Sequence, residues 1–315
     1  MCEAAPTRLA LARAARPQRA IVAAAARLFR TSKLGMSMRS PILPCLACAA
    51  TALLLTACTP SPAPPAAADA ASTAADATAD AAGLPADHAT SRRYKISINL
   101  PTLAADEKPL ADALRASADD AKRDFMQALP DPQQLPEFAD RQLQLFLDFK
   151  VAASTPAFTS VAESGGSDTG GAHPMPVLGS FVFDRRAGRL VTLDDLFSDP
   201  DGARKALARV AHAVLLERFL ADAPKPGEGT PQALEEWKSN MLQMLDEGSK
   251  PTAANYARFT VRAGAYGSAA SPGLTLIFAP YQVAPYVYGT QTVDVPADVF
   301  AKFLKPAYQG DFAAR

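Results

Sequence analysis

Cysteine is missing from most of this 315-residue sequence: Cys2, Cys45, Cys48 and Cys58 are its only four. A disulfide framework, a cysteine zinc cluster and a catalytic thiol are therefore excluded after residue 58. Histidine is nearly as scarce, with three in the chain. There is no P-loop, no Gly-x-Gly-x-x-Gly fingerprint, no His-Glu-x-x-His helix and no Gly-x-Ser-x-Gly elbow, so the common nucleotide, metalloprotease and hydrolase signatures are absent. No excess of one charge is present either, with 32 basic and 32 acidic side chains. That balance excludes a histone-like nucleic-acid binder and a wholly disordered acidic protein.

The balance is a sum over two unlike pieces. Residues 1–58 hold eight basic side chains and one acid, Glu3, which leaves 24 basic against 31 acidic afterwards, a formal charge of −7. From Met38 the chain reads Met-Arg-Ser-Pro, then a mostly apolar run from Ile42 to Leu55, then Leu55-Thr56-Ala57-Cys58. A basic start, a short apolar core and small residues before the end are the layout of a secretory signal peptide. The run is shorter than the roughly 20 apolar residues of a bilayer span. The Leu-Thr-Ala-Cys tetrapeptide resembles the bacterial lipobox, which makes Cys58 the expected lipid-bearing (palmitate-type) residue and 38–57 the signal peptide of a lipoprotein. Residues 1–37, rich in Ala and Arg, read as an extra leader or as the product of a misassigned start.

Residues 59–90 contain 14 Ala, 5 Pro and 4 Asp among 32 positions, with Leu84 as the one large aliphatic side chain. Such a segment buries too little apolar surface to offset its ordering entropy. Residues 58–90 therefore read as a lipidated Cys and a tether, about 30 Å long as a flexible coil and about 100 Å if drawn into polyproline II. With Thr59 after the Cys, outer-membrane sorting toward the periplasm is the expectation in a Gram-negative envelope.

The remainder has the periodicities of an α+β fold. Tyr94 to Leu100 alternates like a half-buried strand, and Leu110, Ala113, Leu114, Ala121, Phe125 and Met126 recur at helical spacing from Pro109 until Pro130 stops the pattern. Leu143, Leu145, Leu147, Phe149 and Val151 share one face of a strand whose other face carries Gln142, Gln144, Asp148 and Lys150. Residues 157–162 suggest another strand, residues 165–171 are too Gly-rich for regular structure, and 180–184 with 188–192 form a hairpin. Helices are expected over 201–221 and from Pro231, capped by Thr230 and stopped near Gly248. Strands follow at 259–261, 274–278 and 291–295, with a short helix over 296–304. The organisation expected is a small N-terminal strand-helix-strand subdomain, 91–164, packed with a larger mixed domain of antiparallel strands and helices, 165–306, and a tail, 307–315.

Two segments carry candidate binding residues. Gly170, Gly171 and His173 lie in a turn where glycines permit close approach and the imidazole can donate a hydrogen bond, although loop geometry alone also explains them. Tyr281, Tyr286 and Tyr288 place rigid amphipathic rings on one loop, which suits protein or glycan recognition and equally suits a loop that closes the core. His212 reads as a packed or surface histidine. Asp194 and Asp195 read as a turn or helix start, where acids complement the helix dipole, and Asp199 to Gly202 reads alike.

Thr169-Gly170-Gly171-Ala172-His173-Pro174, Phe181-Val182-Phe183-Asp184 with Gly188, Leu193-Asp194-Asp195-Leu196-Phe197, and Pro280 to Tyr286 with Gly289 and Val295-Pro296 together resemble the C-terminal domain of the RsiV anti-sigma factor. This module, domain of unknown function 3298, also occurs beside the catalytic domain of a peptidoglycan deacetylase. In RsiV the region is a lysozyme receptor, so the resemblance implies an ectodomain that binds a macromolecular ligand, a lysozyme-like muramidase or peptidoglycan. Sigma-factor signalling is not carried over, because no cytoplasmic segment matches. Deacetylase activity is not carried over either, because the family's catalytic domain needs an Asp with paired His ligands and the folded part offers His173 and His212. The expectation is a lipid-anchored envelope protein without catalytic residue, metal, cofactor or nucleic-acid partner, and not an enzyme. The alternative is an enzyme of cell-wall glycans or peptides with Asp194 or Asp195 in an acid/base role.

Overall fold

The computed structural model describes residues 84–313, apart from 132, 134–137, 139, 226, 266 and 267. The segment 1–37, the signal segment, Cys58 and the tether up to residue 83 lie outside the described residues. Among the described residues no helix is long and apolar enough to cross a membrane.

The α+β class is observed. Strands β1 (His88–Thr90), β2 (Tyr94–Asn99), β3 (Leu143–Ser154), β4 (Phe158–Asp168), β5 (Met175–Asp184) and β6 (Arg189–Leu190) form one sheet in chain order. All neighbours are antiparallel except β2 and β3, whose parallel pairing is bridged by helix α1 (Lys108–Gln127). A parallel pair needs such a crossover, and the helix it supplies covers the sheet. The period of two in β3 buries Leu143, Leu145, Leu147 and Phe149 on that face, where Leu110, Leu114, Ala118 and Phe125 of α1 meet them. Each large side chain buried this way contributes about 1.5–3 kcal/mol.

The fold begins upstream of residue 91. Ala89 of β1 is buried, and the fully buried Lys122 Nζ of α1 lies 3.2 Å from the Pro85 carbonyl oxygen, 3.3 Å from Asp87 and 3.0 Å from Asp119. The last residues of the stretch read as tether are thus fastened to α1 through a buried ammonium held by carboxylates and a carbonyl, the partnering that burial of such a charge demands.

The second half contributes α2 (Pro200–Ala221), α3 (Pro231–Gly248) and an antiparallel sheet of β7 (Phe259–Val261), β8 (Gly273–Phe278) and β9 (Gln291–Pro296). Both helices start as their sequences dictate. Asp199 accepts from the Gly202 N–H at 2.9 Å, Thr230 accepts from the Ala233 N–H at 3.2 Å, and a proline follows each cap. Phe197, Leu207, Leu215, Phe219, Leu245, Phe278 and Phe300 belong to the core they enclose.

At the start of β4 and the end of β5 the large sheet is buried on both faces. Phe183 faces the α1 side while its neighbour Val182 belongs to the other core. On that second side the β7 N–H groups of Phe259 and Val261 donate to Ser180 Oγ and Ser160 Oγ, each at 2.9 Å. The boundary drawn at 164/165 falls inside β4, so one sheet carries residues of both expected subdomains.

Two local expectations are corrected. Residues 165–168 are strand, because Gly165 lies so close over β3 that a Cβ there would fall 2.0 Å from the Phe146 carbonyl oxygen, and pairing with β3 and β5 outweighs glycine's weak β propensity. The helix expected over 296–304 is two 3-10 turns, Ala297–Val299 and Ala301–Phe303.

Candidate functional site

The β4–β5 connection and the β8–β9 connection meet at one place. At the base of the first, Arg141 pairs with Asp168 at 2.9 Å, and Asp168 Oδ1 accepts from the Gly170 N–H at 3.0 Å. Gly170 takes a positive φ of 102°, and a Cβ on it would collide with the Phe138 ring at 2.3 Å, so both backbone and space require glycine there. Gly171 has no such constraint, with nothing nearer than the His173 carbonyl oxygen at 3.7 Å from where its Cβ would be.

The second connection is pinned by Gln282. Its side-chain amide donates to the Gly248 and Asn255 carbonyls at 3.2 and 3.0 Å and accepts from the Ala279 N–H at 3.2 Å, while the buried Val283 and Ala284 root the loop in the core. Tyr281 is held at φ 68°, the one positive-φ residue other than glycine among the described residues. Such backbone strain costs on the order of 1 kcal/mol or more and persists where surroundings over-determine it.

These two loops bring together His173, Tyr281 and Tyr286. The imidazole stacks on the Tyr286 ring with centroids 3.8 Å apart and planes 17° apart, and Tyr281 flanks both at 6.3 and 5.6 Å. His173 Nδ1 lies 3.2 Å from the Pro174 carbonyl oxygen, Tyr286 donates its hydroxyl to the same oxygen at 3.1 Å, and the Tyr281 hydroxyl lies 3.3 Å from His173 Nε2. Tyr288 is set apart: its ring packs edge-on against Phe219 of α2 at 5.3 Å and closes the core.

Beside the ring cluster runs a groove of about 350 Å³ whose walls include Phe146, Pro174, Pro176, Pro280, Tyr286 and Val287. No carboxylate, ammonium or guanidinium lines it. Val287 is 85% exposed, Met175 57%, Tyr281 54% and Phe146 49%, so large apolar surface remains open around the groove. Exposed apolar area gathered in one place marks a contact surface more often than scattered residues do. Sequence reading missed Phe146, although a signal existed: it is a phenylalanine on the polar face of β3, at the position between Gln144 and Asp148.

The acids considered for acid/base work are engaged locally. Asp194 pairs with Arg204, and Asp195 accepts from the Thr192 N–H and hydroxyl, each at 2.8 Å, with Arg189 at 3.6 Å. Burial pushes the Asp195 carboxyl up, but the Thr192 hydrogen bonds and the Arg189 charge outweigh it and hold the group below its ordinary value. Asp194 also borders a larger apolar cavity of about 540 Å³, walled by Phe181, Leu190, Val191, Tyr256 and Phe259. His212 Nε2 lies 2.9 Å from Asp246 Oδ1, joining α2 to α3. Among the described residues no three His, Cys, Asp or Glu side chains converge as a metal-binding group.

Residues 194–298 match the model of a family described as a protein of unknown function, DUF3298. Over 217 residues the chain is 21% identical to the peptidoglycan-N-acetylmuramic acid deacetylase PdaC of Bacillus subtilis strain 168. That match covers 69% of this chain and 40% of the relative's length. A DUF3298 family protein from Pseudomonas aeruginosa PAO1 is similar in structure, with a TM-score of 0.43, 20% identity, and 67% of this chain and 84% of that one covered. A DUF3298 family protein from Bacteroides fragilis NCTC 9343 gives 0.38 and 16%, covering 64% of this chain and 71% of its own. The expectation that the chain is not an enzyme is corrected by the match to the B. subtilis protein, a relative named for an enzymatic activity. The family of unknown function expected from the sequence blocks is the one whose model matches, over residues 194–298.

Proposed function

We propose that this is a lipid-anchored cell-envelope protein, held by Cys58, with a role in the cell wall, and that its folded part engages peptidoglycan at the groove beside His173, Tyr281 and Tyr286. The observation that carries this reading is the ring cluster itself: stacked, half-exposed amphipathic rings beside an uncharged groove are a surface made for sugar faces. The named activity of the B. subtilis relative, directed at peptidoglycan, supports the choice of polymer. An anchored tether places such a surface within reach of the wall.

The test is co-sedimentation of the full chain with purified sacculi, with Tyr286→Ala as the paired variant. Retention of the wild type and loss of at least tenfold in the variant is expected. No retention of either, or retention that the variant leaves unchanged, overturns the reading, and capture of a lysozyme-like muramidase in place of sacculi replaces it with a protein partner.

The relative's name favours a second reading, amide hydrolysis on the same polymer. Acetate released from the sacculi, measured in the same samples, decides it: release above the no-protein control supports that reading and none removes it.

A further inference from the structure

The six-stranded sheet ends on a strand that is covered over part of its length. β6 pairs with Phe183 and Asp184 of β5, the Val191 N–H adds one bond to the Val182 carbonyl at 2.8 Å, and the chain then leaves for the 3-10 turn Asp194–Leu196. Along residues 175–181 the outer edge of β5 has no strand beside it. Hydrogen bonding alternates along an antiparallel strand, so the outward bond at Val182 makes Ser180, Leu178 and Pro176 the residues whose backbone groups also aim outward. Pro176 stands where its missing N–H breaks no ladder bond. Among the described residues, the Leu178 and Ser180 N–H groups and the Pro176 and Ser180 carbonyls have no hydrogen-bond partner. Such an edge is a template for another chain.

Two apolar hollows lie at the ends of this edge. The cavity of about 540 Å³ borders Ser180, with Leu190, Val191, Ala253 and Ala257 among its walls. The groove of about 350 Å³ borders Pro176. Pro176 and Ser180 are four residues apart, about 13 Å along a strand, and share the face that β7 packs against through Ser180 Oγ. A strand laid antiparallel against β5 places the side chains opposite Pro176 and Ser180 on that same face, toward the two hollows.

Arg258 stands between them. Its Nε donates to the Leu178 carbonyl at 3.3 Å, and among the described residues no carboxylate pairs with the guanidinium. A residue opposite Leu178 presents its side chain to that cation, where an acid gains a charge-assisted bond. A second copy of this chain fits badly, because two β5 edges paired about Leu178 would bring two Arg258 side chains together and residues 175–181 contain no acid.

We propose that the outer edge of β5 is a strand-addition site for an extended segment of a partner protein, which pairs antiparallel with residues 176–180 and carries apolar, acidic and apolar side chains at successive alternate positions. Main-chain bonds supply the affinity, and the two hollows with Arg258 supply the selection. This site goes beyond the proposed engagement of peptidoglycan and is tested without sacculi.

Fluorescence anisotropy of a labelled, capped heptapeptide, Thr-Leu-Thr-Glu-Thr-Leu-Thr, titrated with the full chain, reads it. Binding is expected, and Lys in place of the Glu should weaken it at least tenfold. Methylating the amide nitrogens of the two Leu residues, whose N–H groups face the Ser180 and Pro176 carbonyls, should also cost at least tenfold. Methylating the two Thr residues that flank the Glu, whose N–H groups face away from β5, should change affinity by about threefold at most. Arg258→Glu is expected to exchange the preference for the Glu peptide for one for the Lys peptide. Absence of binding, or a loss that does not depend on which nitrogens are methylated, overturns strand addition, and a loss confined to the Thr-methylated peptide overturns the antiparallel register. Equal binding of the Glu and Lys peptides overturns the assignment of Arg258. A dimer of the full chain in sedimentation velocity that the peptide dissociates would give the edge to a second copy and overturn the partner.

Discussion

Glu163 of β4 and Gly179 of β5 face each other in register, and the carboxylate occupies the space the glycine leaves: a Cβ on Gly179 would lie 2.3 Å from Glu163 Oε2. That oxygen accepts from Ser117 of α1 at 2.8 Å, while Oε1 is buried without a hydrogen-bond partner. Burial pushes the carboxyl above its ordinary value of 4.5, and the Ser117 bond only partly opposes it. The folded chain therefore keeps this proton after the unfolded chain has released its own. Its stability is greatest below pH 4.5 as far as this group is concerned and falls as pH rises from there through the raised value. Glu163→Gln, which cannot ionise, is expected to unfold at higher temperature than the wild type at neutral pH, with the gap closing toward pH 4; each kcal/mol shifts the midpoint by about 2–4 °C in a chain of this size. Thermal melts across that range check it, and a gap that does not depend on pH counts against the buried acid.

Asp184 ends β5 and organises the turn that follows. Its Oδ1 accepts from the Arg186 and Ala187 N–H groups, each at 2.9 Å, and its Oδ2 accepts from the Tyr308 hydroxyl at 2.8 Å. Asp184→Ala is expected to cost about 3 kcal/mol or more, because hydrogen bonds to a charged group are each worth about 1.5–3 kcal/mol and a buried phenol loses its acceptor. Burial and the bond to Asp184 push the Tyr308 phenol up to about 12. The stability this phenol provides is thus intact below pH 10 and lost between pH 10 and 12, a loss that Tyr308→Phe should not show. Denaturant melts of both variants in neutral and alkaline buffer measure these effects.

What the sequence made legible was local. The β3 alternation, the caps Asp199 and Thr230 and the Pro130 stop each act within a few residues, and each element formed where they pointed. What it hid depends on partners distant in the chain. The parallel pairing of β2 with β3, and the meeting of β7 with Ser160 and Ser180, cannot be inferred from either segment alone. The Gly-rich end of β4 looked like loop because propensity sees the glycine and not the β3 backbone lying over it. In the site, His173 and the three tyrosines were visible as residue types, but only the fold separates Tyr286, stacked on His173, from Tyr288, two positions on and turned to Phe219.

Gln282 joins the core to the ring cluster. Its side chain bridges Gly248, Asn255 and Ala279, and its neighbour Tyr281 depends on the turn so fixed. Gln282→Ala removes three hydrogen bonds and is expected to destabilise the fold by about 1–3 kcal/mol, leaving the carbonyls of Gly248 and Asn255 short of a donor. Its larger effect should be on the loop: amide exchange is expected to speed up in residues 279–286 and to stay unchanged in β3 and β4. Uniformly faster exchange would show that Gln282 serves global stability and not the placement of Tyr281.

Tyr281 tests whether strain and recognition are joined. A side chain at φ 68° is unfavourable by on the order of 1 kcal/mol, and its ring, 54% exposed, packs against His173 and Tyr286. Tyr281→Gly relieves the backbone and gives up those contacts, so its unfolding temperature is expected to equal or exceed that of the wild type. Removing the ring and its hydroxyl also leaves His173 Nε2 without its partner and frees the imidazole to turn, which should reduce retention on sacculi at least severalfold. A variant that loses stability as well would mean that the ring holds the loop in place, and one that keeps full retention would place recognition elsewhere. Stability gained where binding is lost is the pattern that a backbone strained for function predicts.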